Sequence, residues 1–192
     1  MPSLSTRRWT LSLVMPALLL VAGCGDQPAS PVYVGRAGDD AALGILEDGS
    51  KVTVYLCGGS GSYATLTRWF HGAVGPGGKL SLTSGDATLT GDLTSLKGQI
   101  QVGAGDPLPW TVGPASASAG IYSAEGACRT GAIFGDIEGD GHVRLQGTWC
   151  DGAGRFAQVT PLQPVYSPAE IIDLEVQIDP VEQIQVTRVF SP

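Results

Sequence analysis

Residues 43–59 read "LGILEDGSKVTVYLCGG", and this stretch decides the fold. Asp48-Gly49 is a turn signal for a two-residue hairpin of type I′. Pairing the chain about it sets Ile45 opposite Val52, Leu43 opposite Val54 and Ala41 opposite Leu56, and leaves Cys57 facing Asp40. Apolar meets apolar at the first three pairs, so turn chemistry and burial specify the same register.

Working outward, a period-two pattern punctuated by turn residues runs from Val32 to Thr160, the sequence signature of an all-β sandwich or barrel. A second hairpin turns at Gly85-Asp86 and sets Leu82 opposite Leu89. Further strands are expected at 63–73, 98–103, 107–112, 117–123 and 155–160. An open meander of so many strands would leave adhesive edges. The expected fold is therefore an antiparallel meander closed into a small barrel or folded into a sandwich. Composition agrees: 28 glycines and 13 prolines in 192 residues suit many tight turns, 15% charged residues leave little material for surface helices, and 43% apolar residues suffice for a core.

A third hairpin lies in "RTGAIFGDIEGDGHVRLQGTWC", residues 129–150. Pairing about Asp140 sets Ile137 opposite Val143, Gly135 opposite Leu145 and Ile133 opposite Gly147, with Gly139 to Gly141 as a three-residue loop. Asp136, Glu138, Asp140 and Gly141 resemble the opening of an EF-hand loop, where alternate carboxylates wrap calcium. The twelfth position of such a loop is Gly147 instead of a glutamate, and the flanks alternate as strands. A hairpin tip is the reading preferred, with the three acids kept as candidate metal ligands. Residues 133–152 also echo 43–59 in the order strand, Asp-Gly turn, strand, Cys, Gly, as an ancient duplication or as two hairpins under the same turn rules, and imply a pseudo-symmetric architecture at most.

The N-terminus speaks to location. In "MPSLSTRRWTLSLVMPALLLVAGCG" (1–25), Arg7 and Arg8 precede an apolar run from Leu11 to Ala22. That run is shorter than the roughly 20 residues a spanning helix needs, and the arrangement is that of a signal peptide. Leu20-Val21-Ala22-Gly23-Cys24 closely resembles the lipobox of bacterial lipoproteins. The resemblance implies cleavage after Gly23, diacylglyceryl transfer to the Cys24 sulfur and, often, N-acylation. With about 0.8 kcal/mol per buried methylene, two or three acyl chains hold a protein on a membrane where one would not. By the same resemblance, to lipoprotein sorting in double-membrane bacteria, Gly25 in place of Asp implies the outer membrane if the cell has two. The domain plan is then a signal peptide at 1–23, lipidated Cys24 with a tether at 24–31, a β domain at 32–160, and a Pro-rich acidic tail at 161–192. In the tail, Ser167-Pro168-Ala169-Glu170 resembles a capping box, while Ile172, Leu174, Val176 and Ile178 alternate as a strand; a turn followed by an extended segment is expected.

Export leaves Cys57, Cys128 and Cys150 in an oxidising compartment. The register above sets Cys150 opposite Thr130, with Cys128 two residues along the same face. A diagonal neighbour about 7 Å away is too far for a disulfide, so a Cys128–Cys150 bond requires a bulge near Gly126 or Gly131. Cys57–Cys150 is the rival pair.

Removing the first 23 residues leaves nine basic side chains against 18 acidic ones, a charge of −9, which opposes nucleic-acid binding. His71 and His142 are the only histidines; HExxH, CxxC and zinc spacings are missing. In "GGSGS" (58–62), Ser62 stands where a nucleophile elbow wants glycine. The aromatic residues Trp69, Trp110, Trp149 and Tyr122, with Phe70, either fill the core, which is the reading preferred, or line a ligand pocket in a barrel mouth. Gly120-Ile121-Tyr122-Ser123-Ala124 and Gly147-Thr148-Trp149 resemble fragments of avidin-type and lipocalin-type barrels. The functional expectation is a lipid-anchored envelope protein with a non-enzymatic structural or protein-interaction role and no cofactor. A small-ligand-binding barrel is the alternative. A hydrolase with an unrecognised site comes third, and a cleft holding His71 beside a carboxylate and Ser60 or Ser62 would favour it.

Overall fold

Period two is realised almost throughout. The computed structural model describes residues 30–116, 119–165 and 170–191, and among them the chain forms fourteen antiparallel strands. The expected signal peptide, Cys24, most of the expected tether and the Ser167 to Ala169 part of the expected capping box lie outside the described residues. Strands β1 (Val32–Ala37), β2 (Ala41–Asp48), β3 (Lys51–Cys57), β4 (Arg68–Ala73), β5 (Lys79–Ser84), β6 (Ala87–Asp92), β7 (Lys97–Val102) and β8 (Leu108–Pro114) make one sheet. Strands β9 (Gly120–Ala124), β10 (Thr130–Gly135), β11 (Arg144–Cys150), β12 (Phe156–Pro161), β13 (Ile171–Val176) and β14 (Glu182–Arg188) make the other.

Each sheet is an up-and-down meander curled on itself, so two barrels replace the single one that strand pattern alone suggests. The second closes fully, through hydrogen bonds between β14 and β9. The first closes between β1 and β8, leaving β4 and β5 as its edges. Side chains seal that gap. Leu82 packs beneath Gly72, where a Cβ would stand 2.5 Å from its Cδ2. Arg68 reaches across from β4 to the Asp86 carboxylate at 2.7 Å and the Ser84 carbonyl at 3.5 Å.

Both interiors are filled. Leu43, Ile45, Val54, Phe70, Leu89 and Trp110 pack in the first barrel, and Tyr122, Phe134, Trp149, Leu174, Val176 and Val186 in the second. A third apolar cluster, including Val34, Leu46, Tyr55, Ile121 and Ile133, joins the barrels. It explains why β2, β3 and β10 read as nearly unbroken apolar runs: one face lines a barrel and the other is covered by the neighbouring barrel. The two hairpins that echo each other in sequence, β2–β3 and β10–β11, meet at this seam, where Tyr55 Oη donates to the Gly131 carbonyl at 3.0 Å.

Register corrects the sequence reading in two hairpins and matches it in one. Leu82 does pair with Leu89. In the first hairpin the loop is Gly49-Ser50, so Ile45 pairs with Val54, Leu43 with Leu56, and Cys57 lies opposite Ala42 instead of Asp40. Gly49 alone takes positive φ, at 61°, which suits a turn with glycine at the first central position better than type I′, where both central residues need it. The slip is two residues, so every side chain keeps its face. In the third hairpin the slip is one: Ile133 pairs with Gln146 and Gly135 with Arg144. The strand ends at Gly135 because Asp136 turns back to accept the backbone N–H groups of Asp140 and Gly141, at 3.1 and 2.9 Å. Residues 136–143 form a loop, and the expected Ile137–Val143 pair does not exist.

Residues 63–73 are not one strand: Tyr63–Leu66 is a short helix turn before β4, set by Gly58-Gly59 folding tightly against Ser62 and Asp40. The composition change after Thr160 is not a domain boundary either, since residues 171–176 and 182–188 are the strands that complete the second barrel.

Candidate functional site

Chemistry-bearing side chains gather at the seam between the barrels. Tyr55 and Trp69 leave β3 and β4 as cross-strand neighbours and stack with ring centroids 4.3 Å apart. The Arg129 guanidinium, from the β9–β10 connection, lies 3.9 Å over the Trp69 ring, and Trp69 Nε1 donates to the Arg129 carbonyl at 3.1 Å. His71 stacks on Trp69 and shares a 3.0 Å hydrogen bond with Thr53. Burial, and then the Arg129 charge, push its pKa below the ordinary histidine value. Deeper in, the Cys57 sulfur sits 3.4 Å from Thr148 Oγ1. Gln146 Nε2 donates to the carbonyls of Cys57 and Asp40.

Cys128 and Cys150 are disulfide-bonded, with Cα atoms 6.0 Å apart, so the rival Cys57–Cys150 pair is overturned and Cys57 is a free, buried thiol. The one-residue register slip removes part of the offset that the sequence reading had to bridge with a bulge. The bond fastens the segment carrying Arg129 to the end of β11. Replacing both cysteines with serine is expected to cost about 3 kcal/mol by loop closure, measured as the change in denaturant midpoint at constant slope. Burial pushes the Cys57 thiol up to about 11. Iodoacetamide at pH 8, without reductant, should therefore leave Cys57, Cys128 and Cys150 unmodified in the folded chain. In denaturant, peptide mapping should find Cys57 alone of the three alkylated.

The acidic loop is satisfied by protein groups. Asp136 accepts its two backbone N–H groups, Asp140 takes a bidentate pair from Arg144 at 2.8 and 2.7 Å, and Glu138 pairs with Arg36 of the first barrel at 2.8 Å. Asp136, Glu138 and Asp140 therefore do not converge, and among the described residues no three His, Cys, Asp or Glu side chains group as a metal site. Arg144 holds the Asp140 carboxyl well below the usual range. A depressed carboxylate contributes stability above its unfolded pKa and loses it as pH falls through the folded one. Arg144→Met should return the Asp140 pKa toward the ordinary value in a carbon-detected NMR titration, and should move the acid unfolding limb upward in pH.

This loop overhangs two open clefts along the seam. One, about 350 Å³, is lined by Asp40, Ser60, Glu138, Arg144, Gln146 and Gln158 among others; the second, about 440 Å³, by Val34, Arg36, Gly113, Ala115, Ala119 and Ile137 among others. None of the five aromatic pocket candidates lines either. Trp110 is inside the first barrel and donates to the Thr90 carbonyl at 3.1 Å. Trp149 and Tyr122 are inside the second barrel, and Trp69 is in the seam stack. Of the serine and histidine candidates, Ser62 Oγ donates to Asp40 at 2.8 Å and His71 is held by Thr53, while Ser60 lines the smaller cleft. Sequence reasoning passed over Tyr55, Arg129, Gln146 and Gly113. Only the polar-tipped tyrosine within the apolar run of β3 hinted at a buried partner.

No protein-family model, curated protein or solved structure matches the chain.

Proposed function

We propose that this chain is a lipid-anchored cell-envelope protein whose paired barrels present a surface to another envelope protein, and that it acts by binding instead of catalysis. The observation that carries the reading is the Cys128–Cys150 disulfide. Structural disulfides persist in oxidising compartments outside the cytosol, which is where the lipobox-like segment ending at Cys24 would send the chain. The filled barrel interiors support binding at the exterior or along the seam over a ligand held inside a barrel. The charge of −9 in the exported form leaves the lipid, and not electrostatics, to hold an anionic membrane surface.

Whole-cell crosslinking followed by membrane fractionation tests this. The wild-type chain should sediment with membranes and yield a discrete protein adduct, while Cys24→Ser should move to the soluble envelope fraction. A Cys24→Ser chain that still sediments with membranes removes the anchor. A wild-type chain that forms no adduct removes the interaction role.

A further inference from the structure

Glycine inside a strand weakens it, and so marks a tight bend or a place where another group must come close. Almost every strand glycine here has such a reason within the chain. A Cβ at Gly131 would stand 2.4 Å from the Tyr55 ring, one at Gly44 2.6 Å from Ile121, one at Gly91 2.1 Å from Trp110, and one at Gly147 2.6 Å from Val159. Gly113 differs. Its φ is not positive, and among the described residues nothing lies within 4 Å of a Cβ built there.

The open space over Gly113 is the floor of the larger seam cleft. Gly113 pairs with Val34 in β1, and Val34 faces the second barrel. The walls are Val34, Ala115, Ala119 and Ile137, all small or aliphatic. Charge sits at the rim: Arg36 is held by Glu138 at 2.8 Å and by Asp39 at 3.6 Å, with Asp136 beside them. Among the residues that line the cleft, two carboxylates, Asp136 and Glu138, stand against the one Arg36 guanidinium and leave that rim negative. An apolar pocket with a charged rim is how protein interfaces seat an anchoring side chain. At about 440 Å³ the cleft has room for a large one.

We infer that the cleft over Gly113 receives an apolar side chain, flanked by basic residues, from a partner protein. The inference rests on the interaction role proposed above and names the chemistry of the partner's contact. Val34 and Ile137 enclose the apolar group, the missing side chain at 113 lets it reach the β8 backbone, and the rim carboxylates meet its basic neighbours.

Three peptides test it against the whole chain in detergent micelles: Gly-Lys-Phe-Lys-Gly, the same peptide with Gly for Phe, and the same peptide with Glu for both Lys. Amide NMR should show the Gly113, Ala115 and Ile137 signals shifting in a saturable way with the first peptide only. Gly113→Leu, which fills the floor, should weaken that binding at least tenfold with an unchanged or higher melting temperature; Gly113→Ala should weaken it less. Undiminished binding by folded Gly113→Leu, or no shift with the first peptide, overturns the inference. So does a fall of several degrees in the melting temperature of Gly113→Ala, because the glycine would then serve the fold. In cells, a wild-type adduct that persists undiminished in Gly113→Leu removes the cleft and leaves the interaction role standing. A wild-type chain with no adduct removes both.

Discussion

Deleting residues 162–192 abolishes cooperative folding of the second barrel. The deletion takes out β13 and β14, and with them Ile172, Leu174, Val176 and Val186, all buried in that barrel. At about 1.5–3 kcal/mol for each buried aliphatic side chain, the loss is about 6–12 kcal/mol, comparable to the whole stability of a typical domain. It also exposes β12 and β9 as unpaired edges, which invites aggregation. Hydrogen exchange reports this directly: amides of β9 to β12 lose protection in the truncated chain. If they kept native protection, residues 171–188 would be an accessory tail and not part of the barrel.

The second large effect is at Trp110. A pocket residue can be truncated with little loss of stability, whereas a core residue cannot. Trp110 is 1% exposed and lies directly over Gly91 and Gly98, where Cβ atoms would come within 2.1 and 2.7 Å of the indole. Its Nε1 satisfies the Thr90 carbonyl. Trp110→Ala should therefore cost about 3–5 kcal/mol, read from chemical denaturation by circular dichroism. A loss under about 1 kcal/mol would contradict its place in the filled interior.

The same residues show what sequence could and could not reveal. Period two identified most strand locations, and Gly85-Asp86 fixed Leu82 against Leu89. For residues 43–59 the faces were right although the turn moved, because a two-residue slip preserves parity. Residues 129–150 failed by one because the Asp136 carboxylate accepts the backbone N–H groups of Asp140 and Gly141 instead of continuing the strand, a choice that alternation does not record. Two barrels in place of one were hidden for a related reason. Strand pattern assigns faces but not partners, so nothing in "AALGILED" or "TGAIFG" says that the second buried face belongs to a neighbouring barrel. Gly131 and Gly113 look alike in sequence. Only the Tyr55 ring over one, and the open cleft over the other, separates a packing glycine from a binding one.

The proposal of an exported, lipid-held protein is decided at one group, the Cys24 sulfur. Mass spectrometry of the N-terminal tryptic peptide from the membrane fraction reads it directly. A peptide spanning residues 24–36, heavier by a diacylglyceryl group and with or without a further acyl chain, is the expected result. A peptide that retains Gly23, or one that begins at Cys24 with an unmodified thiol, would contradict lipid anchoring.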